Sequence, residues 1–126
     1  MSAKILIVED SPSMRKLVRD ALESGGYEVW ESSDGREGLQ VLPEVRPDLI
    51  ITDVNMPELD GINMVREIRA QPEHRLTPVV ILTTESSDDM KQAGRAAGAT
   101  AWIVKPFVAH QLLKLVQRVL RPRSLA

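Results

Sequence analysis

The chain contains no cysteine, so disulfides, thiolate metal sites and thiol nucleophiles are excluded, and a reducing compartment, the cytoplasm, is the expected location. Aromatic residues are scarce, with two tryptophans, one tyrosine and one phenylalanine, which leaves little to stack against a flat cofactor. No apolar run approaches the roughly 18 residues of a membrane span, and the N-terminus lacks the charged-then-apolar order of a secretion signal. Neither sign of charge dominates. Sixteen basic against 18 acidic residues give a net charge of −2, so no basic footprint for direct nucleic-acid binding is present. Internal repeats and low-complexity linkers are also missing. What is present, 126 residues of which 43% are apolar and 27% charged, suits one globular unit with one core, residues 1–126, and a second domain would not fit.

Two periodicities alternate along the chain. Lys4-Ile5-Leu6-Ile7-Val8, Leu49-Ile50-Ile51, Val79-Val80-Ile81-Leu82 and Ala101-Trp102-Ile103-Val104 are short apolar runs, too continuous for half-exposed strands. All four read as central parallel strands. Between them Met14, Leu17, Val18, Ala21 and Leu22 fall at i, +3, +4, +7 and +8, as do Val108, Leu112, Leu115, Val116 and Val119 near the end, each set forming one helical stripe. Gly25-Gly26 closes the first helix, Ser86-Ser87-Asp88 can cap a later one, and Gly98 stands where that helix stops. A fainter strand over residues 27–31 and a fainter helix over 35–42 complete five βα units. The expected fold is α/β, a doubly wound, five-stranded parallel sheet with helices on both faces.

In such sheets ligands gather at the carboxyl ends of the strands, near the point where strand order reverses. Glu9 and Asp10 follow the first strand, Asp53 the third, Thr83 and Thr84 the fourth, and Lys105-Pro106 the fifth. Carboxylates crowded in a crevice repel, and relief comes from proton uptake or a divalent cation. Hard oxygens with no Cys or His disfavour zinc and copper and suit Mg²⁺, with Mn²⁺ as the alternative. A cation site edged by a lysine and a hydroxyl suits phosphoryl oxygens. Asp53 is then the attacking group, forming an acyl phosphate that Lys105 and Thr83 help to neutralise.

Val8-Glu9-Asp10, Asp53-Val54-Asn55-Met56-Pro57 with Asp60-Gly61, Leu82-Thr83-Thr84-Glu85 and Lys105-Pro106-Phe107 occur in an order that resembles a response-regulator receiver domain across residues 3–120. The resemblance implies the flavodoxin-like strand order 2-1-3-4-5 and a phosphoryl group taken by Asp53 from a phosphohistidine on a histidine kinase. It implies Mg²⁺ on Glu9, Asp10, Asp53 and the backbone carbonyl of Asn55. Thr83 and Trp102 would be the switch pair, acting on the surface of the fourth helix, fifth strand and fifth helix, and the bond before Pro106 is expected to be cis.

Asp10-Ser11-Pro12-Ser13-Met14-Arg15, Asn55 and Glu85 are similar to the stand-alone, CheY-like chemotaxis subgroup, and no output domain is expected after Leu120. That likeness implies a cytoplasmic monomer whose output partner is a flagellar motor switch protein, with a helper phosphatase as a further partner, and no enzymatic turnover beyond its own aspartyl phosphorylation and dephosphorylation. Val54, where some such proteins have tryptophan, and Trp102, in place of the commoner tyrosine or phenylalanine, depart from the subgroup.

Rival readings fare less well. An aspartyl-phosphate phosphatase of the haloacid-dehalogenase type needs a second acid two residues beyond the nucleophile, where Asn55 stands. A flavodoxin-like cofactor binder needs a small phosphate cradle where Glu9-Asp10 would repel phosphate. A receiver acting as a phosphate sink, or feeding another output protein, stays open. Blander assignments are packing for Met14, Met64 and Met90, non-catalytic positions for His74 and His110, and a solvated tail at Arg121, Pro122 and Arg123.

Overall fold

Apolar runs with no polar alternation can be buried on both faces only inside a sheet covered by helices on each side. The computed structural model, which describes residues 2–120, builds such a sheet. Its strands are β1 (Lys4–Val8), β2 (Glu28–Ser32), β3 (Leu49–Thr52), β4 (Val79–Thr83) and β5 (Ala101–Val104). Helices α1 (Pro12–Ser24), α2 (Gly35–Val45), α3 (Gly61–Arg69), α4 (Asp88–Ala97) and α5 (Ala109–Leu120) alternate with them, and a short 3₁₀ turn covers Pro72–His74. Strand order is β2-β1-β3-β4-β5 with every pairing parallel, so the doubly wound sheet and its order agree with expectation. The tail at Arg121, Pro122 and Arg123 lies outside the described residues.

The sheet separates two apolar layers. Val18 and Leu22 of α1 and Leu112 and Val116 of α5 pack on Ile5, Ile7, Ile51, Val80 and Leu82, while Leu42, Ile62, Val65 and Ile68 from α2 and α3 pack on Leu6, Val8, Ile50 and Ile81. Met64 is fully buried and Met14 and Met90 pack against these layers, as their stripe positions predict.

Local chemistry sets where each helix begins. Ser11 Oγ accepts from Met14 N, Asp34 from Glu37 N, Asp60 from Asn63 N and Ser87 from Met90 N, each satisfying an orphan N–H of a first turn. Gly98, at φ 112°, closes α4 in the left-handed region where only glycine is unstrained.

Several boundaries and exposures differ from the sequence reading. β2 runs from Glu28 because Tyr27 N still donates to Leu22 O, in the turn that closes α1. α2 continues past Leu42 to Val45 through Pro43: so near the C-terminus the missing N–H forfeits one bond, and the helix closes when Arg46 N reaches Leu42 O. α5 starts at Ala109, and its stripe member Val108 is exposed, as is Leu17 of α1. β5 is not a central strand. It pairs with β4 alone, and Ala101, Trp102 and Ile103 are half-buried with Val104 exposed, because among the described residues no further strand covers its outer edge. His74 is buried within the 3₁₀ turn, with Nδ1 3.0 Å from Thr77 Oγ1.

Candidate functional site

The chain leaves β1 to form β2 on one side and β3 on the other, so the ends of β1 and β3 flank the reversal of strand order. Glu9 and Asp10 leave β1 at this rim, Asp53 leaves β3, Thr83 ends β4 and Lys105 follows β5. The structure brings Lys105 to both inner acids: Nζ donates to Glu9 Oε1 at 2.7 Å and to Asp53 Oδ2 at 2.9 Å. All three side chains are largely shielded, at 9%, 5% and 11% exposure for Lys105, Glu9 and Asp53. Asp10 stays exposed at the mouth.

Backbone groups hold these carboxylates in place. Val54 N donates to Asp53 Oδ1 at 2.6 Å, and Ser11 N to Glu9 Oε2 at 3.1 Å. Arg15 Nη1 donates to the Glu9 carbonyl at 2.8 Å, tying α1 to the strand end. The loop from Asp53 to α3 doubles back so tightly that Gly61 N donates to Val54 O at 2.9 Å, and a Cβ on Gly61 would lie 2.0 Å from the Asp53 carbonyl oxygen. No residue with a side chain fits there without moving the backbone that carries Asp53.

Electrostatics assign the acids different characters. Burial pushes the Asp53 carboxyl up, but hydrogen bonds from Lys105, the Thr83 hydroxyl and Val54 N–H outweigh it and hold the group below the ordinary aspartate range. Burial dominates at Glu9, which lies above its ordinary value despite Lys105. Burial alone would lower Lys105, yet Glu9 and Asp53 hold it above the usual lysine value, so it is an ammonium at neutral pH. Asp53 is therefore an ionised, oriented carboxylate beside a fixed positive charge.

Glu9, Asp10 and Asp53 each offer an oxygen within 4.8 Å of the others. The donor set, all oxygen and open on the Asp10 side, fits a hard divalent cation such as Mg²⁺. Asn55 lies two residues beyond Asp53, its N–H 3.4 Å from Asp53 Oδ1 and its side-chain amide donating to Glu85 Oε1 at 3.1 Å. Trp102 is not at the rim; its indole N–H donates to the Glu85 carbonyl at 2.9 Å, and Glu85 N in turn donates to Thr83 Oγ1 at 3.3 Å. The Lys105–Pro106 bond is cis. The supporting contacts of this site, from Arg15, Ser11 N and Gly61, carry little signal in the sequence, where an Asp-Gly pair and a cap residue are not specific alone. A cavity of about 640 Å³, lined by Leu42, Pro43, Arg46, Gln71, His74 and Thr77 among others, opens at the opposite end of the sheet.

Comparison with known proteins bears on this geometry. Residues 5–117 match the family of the response regulator receiver domain. Vibrio cholerae chemotaxis protein CheY4 superposes with a TM-score of 0.90 and 48% identity, covering 94% of this chain and 99% of that one. The receiver domain of sensor histidine kinase PA1611 from Pseudomonas aeruginosa, with a magnesium ion coordinated in its active site cleft, gives a TM-score of 0.89 and 32% identity over 97% of this chain and 100% of that one. Transcriptional regulatory protein PrrA of Mycobacterium leprae is 39% identical over 98% of this chain but only 52% of its own length, so the chain spans about half the length of such curated relatives. A family match from the first strand to the last helix, on a sheet of this strand order, makes the chain a member of the response regulator receiver family of two-component signalling.

Proposed function

We propose that Asp53 accepts a phosphoryl group from a phosphohistidine of a histidine kinase. The observation that carries this reading is the Lys105 ammonium bridging Glu9 and Asp53 at a shielded strand-end rim. One Asp53 oxygen attacks phosphorus, the P–N bond to the histidine breaks with its electron pair returning to the imidazole, and the product is an aspartyl phosphate. The chain's own residues supply orientation and charge. Val54 N–H fixes the carboxylate, Lys105 offsets negative charge gathering on the equatorial oxygens, and the Thr83 hydroxyl is placed to donate to one of them. Glu9, Asp10, Asp53 and the Asn55 carbonyl would hold Mg²⁺ (or Mn²⁺), whose chemistry when bound is further neutralisation of phosphoryl charge. Release of the phosphoryl group to water completes the cycle, so the chain modifies itself and turns over no other substrate.

The output we propose is chemotaxis, through a flagellar motor switch protein that meets the face of α4, β5 and α5 around Trp102. Support comes from the 48% identity to CheY4 across nearly the whole of both chains. The protein would act as a cytoplasmic monomer, with a helper phosphatase shortening the signal. A second reading is a receiver serving another output protein or acting as a phosphate sink; a transcriptional output is favoured by the PrrA relative.

Intact mass after incubation with acetyl phosphate tests the first step. One phosphoryl group is expected on the parent chain in the presence of Mg²⁺, with none on Asp53→Asn and none in chelator; uptake by Asp53→Asn at the parent rate would sink the assignment. Binding of the phosphorylated chain to purified motor switch protein, absent for the unphosphorylated chain, separates chemotaxis from the second reading.

A further inference from the structure

Glycine in the middle of a helix costs stability relative to alanine, and it is tolerated where the backbone needs a positive φ or where a neighbour needs the space of the missing Cβ. Gly94 is buried in the middle of α4 and is not among the glycines with positive φ, Gly26 and Gly98. Space is the remaining reason, and its occupant is visible. A Cβ on Gly94 would lie 2.6 Å from Cζ3 and 2.9 Å from Cε3 of the Trp102 ring, with Ile81 Cδ1 at 3.3 Å behind it. The benzo edge of the indole thus rests in a notch that alanine would fill, while its N–H is held by Glu85 O at 2.9 Å.

We propose that Gly94 is a positioning residue that seats the Trp102 indole against α4 and thereby fixes its hydrogen bond to the loop between β4 and α4. The consequence reaches the chemical rim through Glu85. Its carbonyl accepts from Trp102, its N–H donates to Thr83 Oγ1 at 3.3 Å, and its carboxylate accepts from Asn55 at 3.1 Å. Gly94 and Trp102 form a matched pair: the large indole occupies this seat because the helix opposite lacks one carbon. The functional meaning of the seat rests on the receiver reading above, whereas the seating itself is a property of the free protein.

The test uses Trp102 as its own reporter in a Trp30→Phe background, Trp30 being partly exposed on the opposite edge strand. Gly94→Ala is expected to shift the ratio of seated to released indole about tenfold toward release, seen as red-shifted emission and greater acrylamide quenching in the unphosphorylated protein. Urea unfolding provides the second arm. Gly94→Ala destabilises when residue 102 is tryptophan, but is neutral or stabilising beside Trp102→Leu, where only helix propensity remains; this reversal of sign is read even if the first variant folds poorly. Unchanged quenching, with the same stability effect beside either residue, overturns the proposal. Acetyl phosphate and Mg²⁺ are then added to each variant. If the parent emission responds, Gly94→Ala is expected to respond less; if no variant responds while the quenching difference persists, the receiver reading fails and the seat stands.

Discussion

Replacing Lys105 by methionine keeps most of the apolar stem and removes the charge, leaving two shielded carboxylates with no counter-ion. Glu9 and Asp53 present oxygens within 4.8 Å of one another, and at an effective dielectric of about 20 two unit charges at that distance repel by about 3 kcal/mol. The lost contacts at 2.7 and 2.9 Å make this the breaking of a buried ion pair, for which about 3–5 kcal/mol is typical. We expect Lys105→Met to lose about 3 kcal/mol or more of stability at pH 7, measured by urea unfolding.

The pH dependence has a definite sign. Without Lys105 the folded-state values of both acids rise above their unfolded values, so the deficit is present at neutral pH and disappears as the acids protonate toward pH of about 4. In the parent, Lys105 is raised in the fold, so its contribution is complete below the ordinary lysine value and is lost as pH climbs through the raised one. Mg²⁺ should restore more stability to the variant than to the parent, because the cation no longer approaches an ammonium, and its apparent affinity should rise at least about tenfold. A loss below about 1 kcal/mol at pH 7, or an equal loss at pH 4 and pH 7, would refute the reasoning. Once phosphorylated, the Lys105→Met protein is expected to bind its output partner more weakly than the parent; equal affinity would remove Lys105 from signal transmission.

Other substitutions probe the supporting structure. Gly61→Ala forces a Cβ against the Asp53 carbonyl and should cost about 3 kcal/mol while slowing phosphorylation by acetyl phosphate, whereas unchanged kinetics would show that the loop relaxes without moving Asp53. Arg69 donates to the carbonyls of Gly98, His74 and Thr77 at 2.6–3.1 Å, and Arg69→Ala should cost about 2–4 kcal/mol in thermal or urea unfolding without altering the initial rate of phosphorylation. Asp34→Ala removes the cap of α2 and should cost about 1 kcal/mol, again with no kinetic effect.

The convergence of Glu9, Asp53 and Lys105 on one rim was legible because polar residues interrupt apolar runs there: Val8 to Glu9, Ile51 to Thr52 and Asp53, Val104 to Lys105. Each interruption marks a strand end, and parallel strands align their ends on one side. Cap residues such as Ser87 and Gly98 were legible for a similar reason, since they act on backbone within a turn of themselves. What failed depends on distant neighbours. Ala101-Trp102-Ile103-Val104 looks like a central strand, and its place at the sheet edge, with no strand beyond β5 among the described residues, leaves it half-buried. His74 carries no pattern that announces burial; it is covered because the segment before β4 folds beneath α3. The seat of Trp102 requires knowing that Gly94 faces it from another element.

The three carbonyls gathered by Arg69 also determine how α4 can move. Gly98, which closes α4, is tied through that guanidinium to α3 and to the segment before β4, at the end of the sheet remote from the acids. At its other end the helix begins from Ser87, and the loop there touches the site through Glu85. A rod about 15 Å long that is anchored at one end and addressed at the other pivots instead of sliding, so a small displacement of the loop would swing the first turn of α4 while its last turn stays still.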